Sequence, residues 1–352
     1  YRGFPAEEHT VVTQDGYVLK LHRIRHGRNG RMDRGPVLLQ HGLLSSSFDF
    51  LSQMPNKALS YSLADEGFDV WLGNNRGNIY STEHVKFTKS NPQFWNFTWH
   101  DMSVYDYPAM VEYILNNTRT PNLIVIGFSQ GALTFLAATT SNPTIQSKVK
   151  HFFAIAPSLS STNLRSLLIR VGSMSPYIVE TVLANIPDRA HSFPVFSPFC
   201  GGVLALPCKW LFHELSGPLH GVDERRISLF LSRFPGGTSN KNLMHWLQQI
   251  HNGTKHFDYG TEGNLAAYGS PHPHEFDFSQ YAVPTSVFYS HDDKLVSTED
   301  MKIFFSRIPS KPIVKARNIT GFGHLEFIFG DRAKAEIYDE IVNDIRDFDE
   351  VK

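Results

Sequence analysis

The chain has 352 residues, 33 Lys and Arg against 34 Asp and Glu, a net charge of −1 and 41% hydrophobic residues. That length suits one α/β domain carrying an insertion, and the apolar content is ample for a large core. The balanced charge and the lack of a basic cluster exclude the electrostatic footprint of a nucleic-acid binder, so no such partner is expected.

Residues 9–24 alternate around Asp15-Gly16, a strong turn dipeptide, and read as a hairpin. Pro36-Val-Leu-Leu-Gln40 is a short buried strand that runs into His41-Gly42-Leu43-Leu44. A helix over 57–66, stopped by Gly67, leads to a strand over 68–73 and then to a turn-rich loop, Asn74-Asn75-Arg76-Gly77-Asn78. Helical spacing over 101–116 is interrupted near its first turns by Pro108. Leu123-Ile-Val-Ile126 is an apolar strand, Gly127-Phe128-Ser129-Gln130-Gly131 follows it, and Ala132-Leu-Thr-Phe-Leu-Ala-Ala138 begins a helix. A strand over 151–156 ends at Pro157. Strands alternating with helices predict a mainly parallel sheet covered by helices on both faces.

After Pro157 the rhythm stops. Residues 158–281 mix short helical runs with Pro, Gly and aromatics and read as an inserted cap; 1–157 and 282–352 form the core. The βα rhythm returns with a strand over 285–290, a helix over 299–308, a strand over 312–319 and a terminal helix from Arg332 onward.

The chemistry centres on Gly127-x-Ser129-x-Gly131. Two residues without a Cβ let a strand turn sharply into a helix, which leaves Ser129 strained at the apex with its hydroxyl above the sheet. This strand–turn–helix is the nucleophile elbow of the α/β-hydrolase fold, and the Gln130 N–H, opening the helix, is free to face an oxyanion. Such a serine needs an acid and a histidine, in that order along the chain. Asp292 and Asp293 both follow the strand over 285–290. Among 17 histidines, His324 stands out by its glycine-flanked place in Gly321-Phe-Gly-His-Leu-Glu, between the last strand and the last helix. The second oxyanion donor belongs to the loop after the third strand, where the Leu43 N–H is the choice.

Other features carry less. His272-Pro-His274 lacks further ligands at useful spacing, so no metal is expected. Arg76 reads as a structural ion pair. The 27 Phe suit either a large core or a pocket for apolar substrates. Residues 193–212 are apolar enough to suggest a membrane span, but Pro194, Pro198, Gly201, Gly202 and Pro207 would break a spanning helix, and a lid or interfacial loop fits better. Acceptor sequons at Asn96, Asn116, Asn252 and Asn318, with only two cysteines, Cys200 and Cys208, point to a secreted or lysosomal glycoprotein. The pair is close enough to close a short loop, or both are free thiols.

Several stretches together resemble the acid lipases, the family of the gastric and lysosomal lipases: Tyr1-Arg-Gly-Phe-Pro-Ala-Glu-Glu, Leu39-Gln-His-Gly-Leu-Leu, Asp69-Val-Trp-Leu-Gly-Asn-Asn-Arg-Gly-Asn, Tyr105-Asp-Tyr-Pro-Ala, the Ser-Gln-Gly elbow, Pro235-Gly-Gly-Thr-Ser and Gly323-His-Leu-Glu-Phe-Ile. The resemblance covers nearly the whole chain and is weakest in the cap. It implies a serine ester hydrolase for triacylglycerols or sterol esters, met at an emulsion or membrane interface, with no cofactor. It implies a Cys200–Cys208 disulfide. It also favours Asp293, because Asp293-Lys-Leu-Val fits the family frame and Asp292 falls at a variable polar position. The chain departs from the family at Phe128, usually His, and at Ser290-His291, usually Gly-Gly. A soluble carboxylesterase and a catalytically silent lipid-binding protein on the same fold are the competing readings.

Overall fold

The computed structural model describes residues 3–173, 200 and 204–350. Its sheet starts from the Asp15-Gly16 turn. Gly16 takes φ 100°, a left-handed conformation that glycine adopts without strain, and the turn joins β1 (Ala6–Val12) to β2 (Tyr17–Ile24) as an antiparallel pair. The remaining main strands are β3 (Pro36–Gln40), β4 (Asp69–Leu72), β6 (Leu123–Phe128), β7 (Val149–Ile155), β8 (Thr285–Tyr289) and β9 (Ile313–Asn318). A two-residue strand, β5 (Glu83–His84), pairs on β2 and had no sequence signal of its own. The order is β1-β2-β4-β3-β6-β7-β8-β9, with every pairing from β4 to β9 parallel.

Parallel strands joined by helical crossovers are buried on both faces, and the side chains divide accordingly. Leu38, Val125 and Phe152 face one core; Val37, Ile126 and Phe153 face the other. Helices α2 (Tyr107–Thr118) and α3 (Gln130–Ser141) cover the first face through Met110, Ile114, Leu133 and Phe135, joined later in the chain by α9 (Thr298–Arg307) through Phe304. Helices α1 (Leu59–Asp65) and α10 (Asp339–Glu350) cover the second through Leu59, Leu63, Ile341 and Ile345.

The predicted helix over 101–116 is two pieces. Pro108 has no N–H, and just before it the chain forms a wide turn, Met102–Asp106, in which the Tyr107 N–H reaches back to the Met102 carbonyl. The terminal helix is also preceded by such a turn, Lys334–Tyr338.

Between β7 and β8 there is no further strand of the main sheet among the described residues. The chain there forms α4 (Leu167–Ser173), α5 (Ala205–Ser216), α6 (Ile227–Leu231), α7 (Asn240–Asn252) and α8 (Gly260–Tyr268). Of the apolar stretch 193–212, residues 193–199 and 201–203 lie outside the described residues; its end forms the greater part of α5, where Pro207 sits in the first turn and gives up no helical hydrogen bond. No described helix is long and apolar enough to cross a membrane.

Candidate active site

Strand β6 delivers Phe128 and Ser129 to the carboxyl edge of the sheet. Ser129 has φ 54° and ψ −117°, a region that costs a non-glycine residue roughly 1–3 kcal/mol and persists only where the surroundings over-determine it. They do so here. Its N–H donates to the Ile155 carbonyl at 3.0 Å, and its own carbonyl accepts from Ala132 and Leu133 at 3.0 and 3.1 Å. A Cβ on Gly127 would stand 2.8 Å from the Ala132 backbone, and one on Gly131 would stand 2.4 Å from the Gln40 carbonyl oxygen and 2.7 Å from that of His41. Only glycine lets α3 fold back on β6 and press its first turn against the end of β3.

The loop after β8 carries Asp293. One carboxylate oxygen accepts the Leu295 and Val296 N–H groups at 2.7 and 2.9 Å, which leaves the other 2.7 Å from His324 Nδ1. His324 Nε2 lies 2.8 Å from the Ser129 hydroxyl. Ser129, Asp293 and His324 are all buried. Asp292 is exposed and accepts the Gly321 N–H at 2.7 Å, so it braces the histidine loop from outside. The His324 N–H donates to the Ser216 carbonyl at 2.7 Å, and a Cβ on Gly323 would collide with Gly217 and Pro218 at 2.4 Å. The Phe128 ring packs on the imidazole with centroids 5.0 Å apart. With Nδ1–H donating to Asp293, Nε2 is left as the acceptor for the serine proton, the arrangement that lets an imidazole act as a general base.

The loop after β3 closes over the same serine. A Cβ on Gly42 would come within 3.2 Å of Ser129 Cβ and 3.1 Å of the Phe128 ring. Among the described residues, the backbone N–H groups of Leu43 and Gln130 have no acceptor. His41 pins the loop: its Nδ1–H donates to the Gly42 carbonyl at 2.8 Å, and its Nε2 accepts from the Asn75 N–H and the Asn78 amide, each at 3.2 Å. Complete burial pushes this imidazole down to about 4, so it stays neutral.

Beside Ser129 opens a cavity of about 440 Å³. Its walls are mostly apolar, with Leu243, Trp246, Leu247 and Ile250 from α7, Phe212 and Leu215 from α5, and Leu325, Ile328 and Phe329 after β9. Helix α7 is tied to the elbow itself, because the Gln130 side-chain oxygen accepts from Trp246 Nε1 at 2.7 Å and from the Asn242 amide at 3.1 Å. Three site neighbours were not found by sequence reasoning: this Gln130 clamp, the Ser158 hydroxyl 3.1 Å from that of Ser129, and the cavity-lining Asp49. None has a local motif; each meets the site only through tertiary packing.

The remaining candidates lie elsewhere. Arg76 is buried, holds Asp15 with both terminal nitrogens at 2.6 and 2.9 Å, donates from Nε to Asp106 at 2.8 Å and stacks 4.0 Å over Tyr17; it is a structural ion pair. The His274 imidazole donates from Nε2 to the Tyr268 carbonyl at 3.3 Å, and no cluster of three metal-ligating side chains exists among the described residues. Cys200 and Cys208 are disulfide-bonded, with Cα atoms 5.6 Å apart. Asn96, Asn116, Asn252 and Asn318 are all exposed.

Comparison with known proteins agrees with this architecture. A family described as a partial alpha/beta-hydrolase lipase region matches residues 1–54, and the alpha/beta hydrolase fold matches 35–193. Gastric triacylglycerol lipase of Bos taurus is 32% identical over 359 aligned residues, covering 97% of this chain and 88% of that protein. Lysosomal acid lipase/cholesteryl ester hydrolase of Homo sapiens is 33% identical, covering 99% and 89%. Among solved structures, an esterase from Exiguobacterium antarcticum superposes with a TM-score of 0.56 at 13% identity, covering 96% of this chain and 98% of that one, a likeness of fold alone.

Proposed function

The chain belongs to the acid lipase family of α/β-hydrolase-fold proteins, and from that premise we propose that it is a lipase in which Ser129, His324 and Asp293 are the catalytic residues. The observation that carries this reading is the unbroken line Asp293–His324–Ser129, at 2.7 and 2.8 Å, ending at an apolar cavity. Ser129 Oγ attacks the ester carbonyl carbon while His324 Nε2 takes its proton. The carbonyl oxygen becomes an oxyanion facing the Leu43 and Gln130 N–H groups. On collapse, His324 returns the proton to the leaving alcohol, and Ser129 keeps the acyl group. Water then repeats the sequence and releases the fatty acid. Asp293 holds the imidazole in the required tautomer throughout.

The substrates are neutral lipid esters, triacylglycerols or sterol esters, as the relatives' names suggest. Residues 158–281 act as the cap, and 1–157 with 282–352 as the hydrolase core. The cap's α5 turns Phe212 and Leu215 to the cavity while leaving Leu206 and Trp210 at 60% and 65% exposure, which suits contact with a lipid surface. A secreted or lysosomal address and glycans on the four exposed sequons complete the reading.

A serine-directed phosphonate tests it. One adduct is expected, on the peptide containing Ser129, with loss of triolein and cholesteryl oleate hydrolysis. Labelling that persists in Ser129→Ala would refute the assignment; activity on dissolved short-chain esters with none on either emulsion would favour the soluble carboxylesterase.

A further inference from the structure

Among the described residues, two titratable side chains line the cavity: His324 and Asp49. Asp49 lies in the short turn Ser47–Phe50 that follows the Leu43 loop, and it is buried. Its carboxyl group accepts a hydrogen bond from the Ser45 hydroxyl, and the Gly42 backbone N–H is near enough to favour its ionised form. It therefore braces the loop from behind, one peptide away from the Leu43 N–H. No Lys or Arg appears among the described residues of the cavity wall. The other titratable groups facing Asp49 are the His324 imidazole, on the shared cavity, and the Tyr338 phenol of the C-terminal segment, whose titration is pushed upward by burial first and by Asp49 second. A buried carboxylate with hydroxyl and amide partners but no cation keeps its proton to unusually high pH, and burial pushes Asp49 up to about 7.

We propose that Asp49 is a positioning residue that couples the oxyanion hole to pH: as the neutral acid it helps hold the His41–Gly42 peptide, the one before the Leu43 N–H, in place, and as the carboxylate it sets a negative charge behind that loop and weakens the hole. The inference rests on the assignment of Leu43 and Gln130 as oxyanion donors. In the neutral form the carbonyl oxygen keeps the Gly42 N–H, and the contact to Ser45 survives with the donor reversed. In the ionised form all the loop hydrogen bonds persist, so the geometry barely changes. What changes is the field. A charge within a few ångströms of a developing oxyanion, in a dry site, opposes the transition state far more than the neutral ground state. The carboxylate is bonded to the oxyanion loop and not to the imidazole, so its charge acts on the hole.

The sign is definite. Asp49 is protonated below neutrality and ionised above it, so turnover falls as pH rises through about 7. The test compares wild type, Asp49→Asn, Asp49→Leu and Ser129→Ala on one soluble short-chain ester, from about pH 5 to about pH 9, which brackets this titration. Asp49→Asn keeps an acceptor for Gly42 and has no charge to gain. Its ratio of kcat at high pH to kcat at low pH should exceed the wild-type ratio on the order of tenfold, with KM following less. Asp49→Leu has neither charge nor acceptor, and should lose kcat at every pH while its ratio stays flat, with folding checked by thermal melts. An Asp49→Asn profile that keeps the wild-type alkaline fall overturns the inference, as does one that falls more steeply. Activity remaining in Ser129→Ala would instead overturn the site assignment beneath it.

Discussion

Replacing Asp293 by Asn is the sharpest perturbation of the site, because the structure dictates how the new amide must sit. In the native protein Asp293 Oδ1 accepts two backbone N–H groups, from Leu295 at 2.7 Å and Val296 at 2.9 Å. The Asn carbonyl oxygen must take over that role, since an NH2 group facing two N–H donors would leave buried polar groups unmatched. The NH2 is then turned to His324 Nδ1, where it needs an acceptor. The imidazole answers by moving its proton to Nε2, and that proton points at Ser129. A histidine in this tautomer cannot accept the serine proton. In a serine protease the equivalent change lowers turnover by about 10⁴, or roughly 5 kcal/mol of transition-state stabilisation. A loss of that order is expected for Asp293→Asn. Asp292→Asn should cost less than about tenfold, because an Asn oxygen still accepts the Gly321 N–H and the residue is outside the relay. Both variants are to be assayed for kcat/KM on one dissolved ester, with circular dichroism melts to confirm folding. An Asp293→Asn enzyme within tenfold of wild type, or a dead Asp292→Asn enzyme, would show that the relay does not run through Asp293.

Three further outcomes follow from the packing. Gly131→Ala forces a Cβ against two backbone carbonyls at 2.4 and 2.7 Å, so urea unfolding should show a loss of about 1–3 kcal/mol and turnover should fall further through the displaced Gln130 N–H. Reducing Cys200–Cys208, eight residues apart, should destabilise by about 2–3 kcal/mol in the chain-entropy account, with hydrogen exchange accelerating around α5 and α6 and not in the sheet. His245 is held neutral by burial down to about 3, whereas an unfolded histidine takes its proton near 6.5. Its contribution is therefore complete above about pH 6.5 and is lost as pH falls toward the folded value, so urea midpoints of His245→Phe should drop less between neutral and acidic pH than those of wild type; an equal drop in both would discount the buried neutral imidazole.

Much of this site is legible in the residues because each part is a local event at a strand end. The apolar run before Gly127, the glycines around Ser129 and the glycine-flanked His324 mark positions whose backbone needs are visible in sequence. Asp293 was harder, since two adjacent carboxylates follow β8, and the family frame had to separate them. The physical reason appears only in three dimensions: the turn spends one Asp293 oxygen on Leu295 and Val296 and aims the other inward. The interruption at Pro108 is visible in the helical spacing over 101–116, but the wide turn it produces over Met102–Asp106 is not. Ser158 and the Gln130 clamp left no trace because their partners lie 29 and 116 residues away, and Asp49 left none because its partner, the Ser45 hydroxyl, forms no recognisable motif with it. A side chain that gains its role from such a neighbour has no periodicity to betray it.

The distance between the relay's members along the chain has a consequence for how the protein is made. His324 follows Ser129 by 195 residues, and the whole insertion between β7 and β8 lies between them. At a synthesis rate of about 5–20 residues per second, Ser129 therefore leaves the ribosome roughly 10–40 s before His324, its proposed base. Until β8 and β9 add to the far edge of the sheet, Ser129 has neither Asp293 nor His324 to activate it. On the proposed mechanism the chain stays without its base through most of its own translation, and ribosome-bound chains that stop short of Gly321 should bind no phosphonate at Ser129.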